Sequence, residues 1–111
     1  MLAPAALCAQ EKMEWQIGGG EIVLAPAPAE PLRALVNDWV NKSARAVAVY
    51  YGKFPVARLR IQLRVIDGRG VRAGQTFGWN GALIKIAIGR ENTAEDFADD
   101  WMLTHEMVHL A

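Results

Sequence analysis

His105, Glu106 and His109 stand in the run WMLTHEMVHLA, spaced His-Glu-x-x-His. On a helix, side chains four residues apart share one face a turn apart, so the two imidazoles can converge on a single metal ion. Glu106 falls about a hundred degrees around the helix from His105, beside the metal rather than on it. From there its carboxylate could take a proton from a water on the metal and hand it to a leaving amine. Imidazole nitrogens suit zinc, which lowers the pKa of its water to around 7. The chain has two histidines, and both fall inside the motif. The plainer alternative is a pair of ordinary helix residues, one buried and hydrogen-bonded, the other exposed.

A zinc site of this kind needs a third protein ligand. Cys8, the single cysteine, has suitable chemistry, but nothing in the sequence ties its segment to the motif. Asp99 and Asp100 precede His105 by six and five residues, on the wrong part of a helix. A glutamate from another chain would also serve. No third ligand is found in this sequence.

The elements that must position the motif are legible around it. The spacing predicts a helix from about Ala94 toward the chain end. Asn92 or Thr93 can cap it, with Glu95 and Asp96 respectively three residues on, and the acidic first turns suit the helix dipole. Upstream, Ala82 to Gly89 (ALIKIAIG) reads as a strand with Ile84, Ile86 and Ile88 on one face, and Lys85 mid-strand suits a sheet edge. VRAGQTFGWNG reads as an irregular loop. It is no phosphate loop, because it lacks the Gly-Lys-Ser/Thr ending and no helix follows it directly. ARLRIQLRV (57–65) alternates strictly, Leu59, Ile61, Leu63 and Val65 against Arg58, Arg60, Gln62 and Arg64, as a strand with one buried face does. The arginines read as a solvated strand face rather than a binding patch.

The clearest helix carries Leu32, Leu35, Val36, Trp39, Val40, Ala44, Val47 and Tyr51 at spacings of three and four. Pro31 suits its start and Gly52 its left-handed end, with Pro55 just beyond. Before it, MEWQI and EIVLA read as two short strands around Gly18 to Gly20, followed by an extended PAPAEP linker. Residues 1–10 (MLAPAALCAQ) are apolar and small, then turn abruptly polar. They read either as the remnant of an export signal, which would make the protein periplasmic or secreted, or as a floppy N-terminus.

The order of helix, strand, loop, strand and HEMVH helix resembles the N-terminal part of the catalytic domain of gluzincin metallopeptidases. That group includes thermolysin, aminopeptidase N and glycyl aminopeptidase. The resemblance spans roughly Leu32 to Ala111 as an order of elements, and only HEMVH matches at motif level. It implies a zinc ion held by His105 and His109, with Glu106 as general base. It also implies that the strand before the zinc helix is a sheet edge to which extended substrate adds. On that basis Ala82, Leu83, Ile84, Lys85 and Ile86 would bind peptide, with the FGWNG loop at the mouth of the cleft. The acidic, amine-gripping Gly-x-Met-Glu-Asn motif of aminopeptidase N relatives has no counterpart in FGWNGALIK. The family's third ligand, a glutamate, and its oxyanion-stabilising Tyr or His come from further downstream. The resemblance therefore implies that residues 11–111 are an N-terminal subdomain, truncated after the motif helix and inactive alone. Apolar surface left uncovered would then favour self-association.

Totals narrow the partners. The chain has 111 residues, enough for one domain with its own core. Twelve basic and twelve acidic residues cancel, so there is no global attraction to nucleic acid or anionic membrane. No apolar run is long enough to span a bilayer. The expected architecture is α+β: a small, twisted, mostly antiparallel sheet with two main helices on one face, zincin-like in order. The expected function is zinc-dependent peptide-bond hydrolysis. The alternatives are a non-catalytic zincin-fold scaffold, against which an intact Glu106 argues, and a two-histidine metal module completed by another chain.

Overall fold

A computed structural model describes residues 11–78 and 81–111. The segment read as an export-signal remnant, Cys8 within it, and Trp79 and Asn80 of the FGWNG loop lie outside the described residues. In chain order the elements are β1 (Met13–Ile17), β2 (Gly20–Ala25), α1 (Leu32–Tyr51), β3 (Arg58–Ile66), β4 (Val71–Phe77), β5 (Ala82–Gly89), α2 (Ala94–Ala98) and α3 (Met102–Val108). This is an α+β architecture. The strands form one five-stranded sheet in the order β1-β2-β3-β5-β4.

The apolar periods do what they should. Met13, Trp15 and Ile17 of β1 are buried on the same side as Ile22 and Leu24 of β2, Leu59, Ile61 and Leu63 of β3, and Ile84, Ile86 and Ile88 of β5. Against that side lies the stripe Leu32, Val36, Trp39, Val40, Ala44 and Val47 of α1. Burying each valine of that stripe is worth about 1.5–3 kcal/mol, enough to hold the helix in place. Gly52 ends α1 in the left-handed region at φ 84°, as its position predicts. Tyr51, counted in the stripe, is exposed instead, together with Val49 and Tyr50. On the opposite face of the sheet Arg58, Arg60, Gln62 and Arg64 stand in solvent. Among the described residues no helix is long and apolar enough to cross a membrane.

Three expectations fail. The sheet is mixed rather than mostly antiparallel: β1–β2 and β4–β5 pair antiparallel, but β2–β3 and β3–β5 pair parallel. Between β2 and β3 runs a 20-residue helix, which returns the chain to its starting level, and parallel pairing needs such a crossover. The second correction concerns the edge. Ala82, Leu83, Ile84, Lys85 and Ile86 belong to an interior strand, paired to β3 on one side and β4 on the other. The backbone of Leu83, Ile84 and Lys85 is paired on both sides and has none free to offer a peptide. Lys85 is exposed on the face it shares with Gln62 of β3, and its ammonium sits 5.4 Å from the centre of the Phe77 ring. Among the described residues the edge on this side is β4, read from sequence as a loop. A bulge between Arg72 and Gln75 breaks its alternation, and Gly74 inside the bulge has weak strand propensity, so the period-2 signal is lost.

The third correction lies in the motif helix itself, which is two helices separated at Asp99–Trp101.

Candidate metal centre and its cleft

The last segment is built by two successive caps. Thr93, not Asn92, caps α2. Its hydroxyl accepts from the Asp96 N–H while the Asp96 carboxylate accepts from the Thr93 N–H, a reciprocal capping box. Asn92 instead clamps the turn before β4. Its side chain accepts from the Gly70 N–H at 2.6 Å and donates to the Gly70 carbonyl at 3.1 Å. Arg69, in the same turn, grips Asp96 with two bonds of 2.9 and 3.0 Å. The guanidinium, helped by the Thr93 N–H, lowers the Asp96 carboxyl pKa to about 2.

Phe97 of α2 is buried against Trp39, with ring centres 5.1 Å apart. One residue into the next turn the helix stops. Asp100 accepts from the Met102 N–H at 3.0 Å and the Leu103 N–H at 3.3 Å, capping α3. The same carboxylate accepts from the Trp39 indole N–H at 2.8 Å. A side chain that bonds the next backbone amides competes with helix continuation, and the buried Trp39 holds it in place. The break resets the helical phase. Phe97 therefore lies off the row of the histidines, which starts at Trp101. Trp101 is 65% exposed, and its ring meets His105 edge-on at 5.2 Å.

From that restart, Leu103, Glu106 and Met107 face inward while His105 and His109 face solvent. The two imidazoles converge as the i, i+4 spacing predicts, with Nε2 atoms 3.2 Å apart. Two nitrogen ligands of one tetrahedral zinc, at bonds of 2.0–2.1 Å, are themselves about 3.3 Å apart, so this pair fits a shared ion closely. The same separation lets one neutral imidazole donate to the other. Among the described residues no group of three or more His, Cys, Asp or Glu side chains comes together to hold a metal. The donor chemistry therefore fits two ligand positions. Asp99 and Asp100 do not add a third, Asp100 being committed to Trp39 and the start of α3.

Glu106 points the other way, onto the edge strand. It is 6% exposed, and Thr76 of β4 donates its hydroxyl proton to Glu106 Oε1 while lying 3.1 Å from the Glu106 carbonyl. Gly74 makes the close approach possible. A methyl group built there would stand 2.9 Å from Glu106 Cγ and 3.0 Å from Oε2. The base, His109 and β4 share a cleft of about 700 Å³ whose walls include Thr76, Phe77, Ala82 and Arg58. Of the predicted substrate-binding residues, Ala82 alone reaches it. Arg58 is held at the rim by Glu21 at 3.0 Å.

Sequence reasoning missed Thr76, Gly74 and Asp100. The first two lie on a strand whose bulge hides it. Asp100 had a local signal, an Asp two residues ahead of Met102, but it was masked by the other acidic residues just before it, Glu95, Asp96 and Asp99. No family model, curated protein or solved structure matches this chain.

Proposed function

We propose that this chain carries the two-histidine and general-base part of a zinc-dependent peptide hydrolase, of the gluzincin type that its HEMVH motif resembles. The observation that supports this best is the pair of Nε2 atoms 3.2 Å apart, with His109 and Glu106 both lining a cleft walled by β4. His105 and His109 would hold the ion, and a third protein ligand would come from outside the described residues. When bound, zinc supplies Lewis acidity that makes water nucleophilic near neutral pH. Glu106 would be the group that holds the proton taken from water and gives it to the departing amine. The outer side of β4, without a neighbouring strand among the described residues, would offer backbone N–H and C=O groups to an extended peptide, the role the resemblance had assigned to β5. Export, if residues 1–10 encode it, would place that substrate outside the cytoplasm.

A second reading is a metal module completed by another chain. It is favoured by the exposure of both imidazoles next to the exposed Trp101. Zinc stoichiometry and affinity after dialysis, measured at several protein concentrations, test both. Zinc binding that is lost in His105→Ala and in His109→Ala supports the site. Affinity rising with protein concentration favours completion between chains. Zinc binding indifferent to both substitutions, or none at all, refutes the metal reading.

A further inference from the structure

Resting on the metal-site reading above, we infer that Thr76 is a positioning residue: its hydroxyl ties the Glu106 carboxylate to β4 and so keeps it in the cleft as a base instead of on the ion as a ligand. The local motif alone does not secure that separation. Glu106 neighbours His105 in sequence, and a glutamate side chain is long enough to swing between inward and outward positions. What holds it inward is tertiary. Thr76 Oγ1 faces two acceptors, the Glu106 carboxylate and the Glu106 carbonyl, and has one proton to give. The charged oxygen is the stronger acceptor, so the bond to Oε1 is charge-assisted.

Oε2 rests over Gly74, and Met102 closes the same space, its Cγ 3.1 Å from the point where a Cβ on Gly74 would stand. Among the described residues Thr76 supplies the only donor to this carboxylate. A carboxylate this buried without a donor is unfavourable. Removing the hydroxyl would therefore release the side chain toward solvent, where the two imidazoles stand. Thr76 lies on the edge strand and Glu106 on the motif helix, 30 residues apart in sequence. The contact thus makes the base's position depend on β4, the strand that also walls the cleft.

The test uses Thr76→Val, which keeps the shape and loses the hydroxyl, Thr76→Ser, which keeps the hydroxyl, and Glu106→Ala. In zinc-free protein, urea midpoints of Thr76→Val, Glu106→Ala and the double variant report the contact. The double variant should shift less than the two single shifts added together. Zinc affinity, measured by competition with a chelator, reports the positioning. Thr76→Val should bind zinc tighter than wild type by about tenfold or more, on the scale of other residues that orient metal ligands. Thr76→Ser should match wild type, and Thr76→Val with Glu106→Ala should lose the gain. Additive midpoints would overturn the contact. Histidine-dependent zinc binding that is unchanged in Thr76→Val would overturn the positioning role and leave the metal reading standing. No histidine-dependent zinc binding in wild type would overturn both.

Discussion

Asp100→Ala should be among the most damaging single substitutions near the site, although Asp100 neither binds metal nor touches the cleft. Its carboxylate receives three donors: two amides opening α3 and the indole of Trp39. Loss of a helix cap costs about 1 kcal/mol. Trp39 is 3% exposed, so its N–H would be left without a partner, at about 1–3 kcal/mol. Together these give about 2–4 kcal/mol, or a fall in melting temperature of roughly 10–20 °C for a domain of this size. Asp99→Ala is the control, since Asp99 is exposed and its side chain makes no hydrogen bond among the described residues. It should lie within about 0.5 kcal/mol of wild type. Asp100→Asn should fall between, because an amide has one acceptor oxygen where the carboxylate uses two. Urea unfolding of the zinc-free protein, followed by far-UV circular dichroism, gives the comparison at a shared m-value. An Asp100→Ala variant as stable as Asp99→Ala would refute the account of how the motif helix is started. It would also remove the reason given for the break at Asp99–Trp101.

Two further outcomes concern the neighbouring turns. The lowered carboxyl pKa of Asp96 means that its contribution to stability is present above about pH 4 and is lost as the pH falls toward about 2. The stability difference between wild type and Asp96→Asn, followed by urea titrations from pH 6 to pH 2, should accordingly shrink across that window; a difference that does not change with pH would contradict the Arg69 pairing. Asn92→Ala should cost about 1–3 kcal/mol, because it strips the partner from the Gly70 N–H and one of two donors from the Gly70 carbonyl, which keeps the Gly89 N–H, against about 1 kcal/mol for the cap lost in Thr93→Ala. Thermal melts of the two variants would show the reverse order if Asn92 were the cap.

Where one face of an element is buried, the periodicity of its own residues was enough. The stripe of α1, its end at Gly52, and the alternation of β1, β3 and β5 could be read directly, because apolar burial imposes a repeat of 3.6 or 2 on local sequence. The convergence of His105 and His109 belongs to the same class, being a property of i, i+4 spacing on one helix. The rest depends on partners distant in sequence. Whether β5 is an edge depends on β4 pairing outside it, and β4 carries no alternation to announce itself. The two-part motif helix depends on Trp39, 61 residues from the Asp100 it holds. The seat of Glu106 depends on Thr76 and on the absence of a side chain at Gly74. Local sequence thus determined which residues could do chemistry and which faces they share. Only the tertiary structure decided where the base points and which strand stands beside it, because hydrogen-bond partners and strand neighbours are chosen by packing between segments and leave no period in the chain.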